Sequence, residues 1–175
     1  LERVRCFRIG FCDVTSPTNE RSLVAAMLPP NTVSGHKVPT ICLLGGVLGH
    51  YMLWLAAANT YTLDYLVRRK VGLSMNYTIL DSIPIPALSL DSPSTRRCIE
   101  LAAGLTCCGS EMVPLWRQLT ADGWVSGSEP HSIEDEEERL KARAELDAIV
   151  ARDILGLTAS EVSFVLEDFP TAAKY

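Results

Sequence analysis

Histidine is scarce in this sequence, and cysteine never occurs as a C-x-x-C pair. The three histidines, His36, His50 and His131, stand far apart without ligand-like neighbours, and the six cysteines (Cys6, Cys12, Cys42, Cys98, Cys107, Cys108) sit among apolar residues. This pattern argues against a zinc site and against a secreted disulfide framework. It reads the cysteines as small buried hydrophobes in a reducing cytosol. A glycine-rich turn between strand and helix is also missing. Gly45-Gly46-x-x-Gly49 lies inside an apolar run with no acid at the distance a dinucleotide site requires. No Asp followed by Asp/Glu-x-Lys in a strand context marks a nuclease.

An excess of positive charge is lacking as well. Sixteen basic against 21 acidic residues give a net charge of −5, which argues against indiscriminate nucleic-acid binding. The average hides an asymmetry. Residues 1–80 carry eight Lys/Arg and four Asp/Glu, net +4, and residues 81–175 carry eight and seventeen, net −9. A phosphate-contacting surface therefore belongs to the first half. The chain opens on Leu1-Glu2-Arg3 with no initiating Met, basic n-region or cleavage site, as expected of a piece of a longer polypeptide. With 175 residues, 47% of them hydrophobic, it can bury one real core.

Along the chain, loose alternation over residues 4–13 and an apolar run over 21–28 flank Thr15-Ser16-Pro17-Thr18-Asn19, a cluster of turn formers, so a strand–loop–strand unit is expected. Residues 32–39 form a polar loop, and residues 40–44 a short third strand. Leu48, Tyr51, Leu55, Ala58, Thr62 and Tyr65 recur at helical spacing and predict one enclosed helix over 50–70, closed by Arg68-Arg69-Lys70 and Gly72. The apolar stretch 41–58 approaches a membrane span in length. Its glycines, His50 and the polar residues that follow favour a buried core element instead. Residues 76–80 are expected as a strand. Helices follow over 95–107, 112–119, from 133 to 155, and after Thr158, whose Glu161 completes a capping box. The acids at 134–138 suit a helix start better than a metal site. The expected architecture is α+β: a small mixed sheet packed on a buried helix (residues 1–88), followed by a helical C-terminal lobe (residues 89–175).

Four blocks carry a family resemblance. The first is Arg8, Asp13-Val14-Thr15-Ser16, Thr18-Asn19-Glu20-Arg21 and Leu28-Pro29-Pro30. The second runs from Leu55 through Asn59, Asp64-Tyr65-Leu66, Arg68 and Lys70 to Gly72. Asn76 leads into the third, which ends Ile83-Pro84-Ile85-Pro86, and the last joins Glu138 through Arg143 to Asp147 with Gly156-Leu157-Thr158 through Phe169-Pro170. In this order they resemble the C-terminal target-recognition region of restriction–modification N6-adenine DNA methyltransferases of the type II methylase/endonuclease class. The third block is also similar to type I specificity subunits. An aromatic common in the family near Thr78 is replaced here, and Asp153-Ile154-Leu155 precedes the Gly-Leu step where the family has an aromatic.

The resemblance implies a parent enzyme that binds S-adenosylmethionine in an upstream methyltransferase domain, flips an adenine and methylates it, with this end helping to choose the site on double-stranded DNA. It implies no cofactor in this chain and a cytoplasmic setting without a membrane. Leu28-Pro29-Pro30-Asn31 lacks both the acceptor before the prolines and the aromatic after them that would hold a flipped base, so no catalytic residue is assigned. The DNA-contact candidates are Arg8, Thr18, Asn19, Arg21, His36, Lys37, Arg68, Arg69, Lys70 and Asn76. Asn19 and Arg21 read equally as a self-capped turn with a salt bridge to Asp13 or Glu20. The alternative function is a structural helical module that holds other domains together and never touches DNA. An enzyme in its own right would need a pocket with convergent polar groups.

Overall fold

The computed structural model describes residues 2–43, 45–84 and 89–169. Among them three short strands and seven helices make an α+β fold. Strand β1 (Arg8–Phe11) lies between β2 (Ala25–Leu28) and β3 (Thr40–Ile41), with Ile9 opposite both Met27 and Ile41. Both pairings are antiparallel, so the sheet is not mixed as expected. Every residue of β1 is buried, whereas β2 alternates, with Ala25 and Met27 inside and Ala26 outside. The strands are shorter than the sequence pattern predicts. Residues 2–5 form a 3-10 turn, and β2 begins only at Ala25 because the amides of Ser22 and Leu23 bond to a side chain instead.

The helix expected over 50–70 is two: α1 (Leu48–Ala58) and α2 (Tyr61–Arg68). The break lies at Asn59-Thr60. The Thr60 hydroxyl accepts from the Leu63 amide as the N-cap of α2. The Asn59 side chain turns back to β2, donating to the Ala25 carbonyl (3.0 Å) and accepting from its amide (3.2 Å), as a neighbouring strand would. The strand expected at 76–80 is also corrected. Asn76 caps a short helix, α3 (Tyr77–Asp81), with its side-chain oxygen accepting from the Ile79 amide at 3.0 Å, and this local bond outweighs the β-branched pattern.

Four helices complete the chain: α4 (Pro93–Thr106), α5 (Val113–Ala121), α6 (Glu136–Ile149), prolonged by a π-helical turn (Val150–Ile154), and α7 (Ala159–Leu166). The acid run starts α6 as expected, with Asp135 as its cap and Lys141 paired to Glu137 at 2.5 Å. The capping box at Thr158 is present.

Met52, Leu53, Leu55 and the three alanines of α1 are all buried, and α4, whose Ala102 and Ala103 are also buried, packs against this helix. Each large side chain so enclosed contributes about 1.5–3 kcal/mol. Gly49 makes room for the Trp124 indole, since a Cβ there would meet the ring at 2.7 Å. The buried core runs without interruption from β1 through α1 and α4 to α6. The exit segment Ile85-Pro86 and the boundary drawn after residue 88 lie outside the described residues. No helix among those described is long and apolar enough to cross a membrane.

Candidate nucleic-acid interface

Asp64 is completely buried, which is permissible for a carboxylate only when its lone pairs and charge are matched. Its oxygens accept from the amides of Ser22 (2.9 and 3.0 Å) and Leu23 (3.0 Å) and from Arg21 Nε (2.8 Å), and Arg68 stands 4.0 Å away. Burial pushes its pKa up, while Arg21, the two amides and Arg68 pull against that shift. Arg68 donates to the carbonyls of Asn19, Glu20 and Asp168 and lies over the Phe169 ring; Arg21 lies over Tyr61. Asp147 of α6 accepts from the Tyr61 amide at 2.6 Å, and burial raises its pKa to about 6. This node therefore ties the turn at 19–22 to α2, α6 and the segment after α7.

The turn containing Asn19 and Arg21 is accordingly structural at Arg21, whose partner is Asp64 rather than Asp13 or Glu20. Arg8 is buried and donates to the Thr32 carbonyl. Arg69 pairs with Asp168 and lies over Tyr65, and Lys70 bonds to Ser82. Asn76 is the α3 cap. Thr18 and Asn19 are exposed at the turn, and His36 and Lys37 are exposed in the polar loop. The ten candidates thus separate by engagement rather than by burial: Arg8 is buried, Arg21 and Arg68 are half-buried, and Arg69, Lys70 and Asn76 are exposed but internally bonded, whereas Thr18, Asn19, His36 and Lys37 stand exposed on the turn and the polar loop.

Lys37, of the exposed set, lies on a surface built from three loops. Backbone bonds join Asp13 to Lys37 (3.0 Å), Thr15 to Leu73 (3.4 Å) and Met75 to Asp13 (2.7 Å), and Val14 bridges Ser74. Residues 12–15 are thereby held between residues 37–40 and 73–75. Tyr77 fixes the same assembly, its ring edge-on to Phe11 and its hydroxyl bonded to both backbone groups of Thr40. Lys37 reaches Asp13 at 3.4 Å across the surface. Leu73 is 86% exposed, Val33 83%, Val14 56% and Tyr77 50%. Comparison with protein-family models, with curated proteins and with solved structures finds no match.

Sequence reasoning missed Val14, Leu73 and Tyr77. Leu73 lies between Val71 and Met75 at strand spacing, so the sequence pattern itself points it to a core and carries no signal for its exposure. Chemically the surface offers Lys37 for a phosphate, the Asn76 amide and His36 for hydrogen bonding, and aliphatic groups of the kind that contact a thymine methyl. The backbone bracing limits the ordering entropy that a ligand would otherwise have to overcome.

Proposed function

We propose that this chain is the DNA-recognition part of a restriction–modification adenine-N6 DNA methyltransferase, non-catalytic by itself. It acts in the cytoplasm beside an upstream methyltransferase domain that binds S-adenosylmethionine. The observation that supports this reading is the three-loop surface, in which exposed aliphatic and hydrogen-bonding side chains stand on loops braced by backbone bonds. Those loops arise from or between the first three blocks of the family resemblance. The Asp64 node supports it further, because it links residues of the first, second and last blocks.

A rival reading, a module that only holds other domains together, is favoured by the internal engagement of Arg8, Arg21, Arg68 and Arg69, which leaves little free positive charge. Titration with duplex DNA at several salt concentrations separates the two. Recognition predicts binding whose logarithmic salt slope falls by about one in Lys37→Ala. Absence of binding at about 20 mM salt, where screening is weakest, would assign the chain to the rival.

A further inference from the structure

A cleft of about 520 Å³ lies between β2 and α6, with α1 and α4 completing its walls. This is the size of a ligand site, and Leu23, Leu55, Met112, Leu140 and Leu146 line it. None of the three recognition loops reaches it. Along its mouth runs the sheet's edge strand β2 with exposed Ala26, preceded by exposed Val24, a line that suits an extended chain segment better than a compact solute.

The charges of the cleft oppose those of its surroundings. Although residues 81–175 carry net −9, α6 turns Arg139 and Arg143 towards the cleft, while Glu137 pairs with Lys141 and Glu145 with Arg97 elsewhere. Arg139 is held by the carbonyls of Ile133 (2.5 Å) and Leu105 rather than by a carboxylate. Arg143 is exposed, with no ion-pair partner among the described residues. Arg21 gives its Nε to Asp64, but its Nη2 is buried without an acceptor. Arg143 is therefore the cation that the cleft presents to solvent. On the acidic side, Asp147 already accepts from Tyr61, which leaves Glu20 as the exposed carboxylate.

We propose that this cleft docks an acidic, aliphatic segment of a polypeptide. Leucine- or valine-like side chains enter between β2 and α6, and a carboxylate meets Arg143. The test uses the full chain and three end-capped pentapeptides, Leu-X-Val-X-Leu with X as Glu, Gln or Lys, titrated by calorimetry at low salt. With exposed pairs contributing up to about 1 kcal/mol, or about fivefold each, the Glu peptide should bind at least about fivefold tighter than the Lys peptide. Arg143→Glu should reverse that order without changing the melting temperature, and Arg117→Glu, remote from the cleft, should leave it unchanged. Equal binding of the Glu and Lys peptides, no binding up to millimolar concentration, or an unchanged order in Arg143→Glu overturns the proposal. So does decanoate binding as tightly as the Glu peptide, which would assign the cleft to a small amphiphile.

Discussion

Replacing Asp64 by alanine should destabilise this protein more than any other single carboxylate change. The side chain is fully buried and satisfies the amides of Ser22 and Leu23 while neutralising Arg21 at 2.8 Å and Arg68 at 4.0 Å. Its removal leaves two buried amides without acceptors and two guanidinium groups without a counter-charge. Breaking a buried pair from one side costs about 3–5 kcal/mol. Water entering the vacated space recovers part of the amide penalty, so about 4 kcal/mol is expected for the whole change. For a chain of this size that corresponds to a fall of about 8–16 °C in melting temperature. Asp64→Asn, which keeps an acceptor but sets an amide against the guanidinium groups, should fall between wild type and Asp64→Ala. Thermal and urea unfolding followed by circular dichroism measures both. A double-mutant cycle with Arg21→Met should show coupling of at least about 1 kcal/mol. A loss below about 1 kcal/mol for Asp64→Ala would refute the assignment of this carboxylate as the centre of the node.

Two further perturbations test the packing around it. Burial raises Asp147 to about 6, against the Tyr61 amide and Arg21, so the folded state holds this proton more tightly than the unfolded chain. Its contribution to stability therefore rises as pH falls from 7 through 6 towards 4, by at most about 3 kcal/mol. Asp147→Asn should be the more stable protein at pH 7.5 and converge with wild type near pH 4; a gap in urea midpoint that stays constant over this range contradicts the reasoning. Gly49→Ala places a methyl 2.7–3.0 Å from the Trp124 indole, an overpacking cost of about 1–3 kcal/mol partly offset by the roughly 1 kcal/mol helix preference of alanine. A net loss with a shifted tryptophan emission is expected, and a net gain would show that the ring moves freely.

The elements most legible in the sequence are those encoded locally. The acid run and the Thr158-x-x-Glu161 box place the starts of α6 and α7 because dipole and cap act within one turn. Residues 50–70 read as one helix because Asn59 and Thr60 sit without disruption in an apolar periodicity. Only the distant β2 edge, which takes the Asn59 amide, reveals the break. Asn76 failed as a strand residue for a complementary reason: its own side chain offers the backbone a helical cap, and pattern counting does not weigh that bond. At the candidate site, charge counting placed the basic half but could not tell which cations are consumed. Arg21 and Arg68 look like phosphate ligands in sequence and are tied to Asp64, 43 residues from the first and four from the second. The residues that shape the surface, Val14, Leu73 and Tyr77, carry no charge signal. They come together through backbone bonds between loops and through the Tyr77 hydroxyl on Thr40.

The most direct test of DNA recognition is the amide spectrum of the isotopically labelled chain titrated with duplex DNA at low salt. The account predicts shifts concentrated in residues 12–18, 32–40 and 72–77, with the acidic start of α6 unmoved because its carboxylates repel phosphate. Shifts centred on α6 or α7, or none at all up to millimolar duplex, would contradict it.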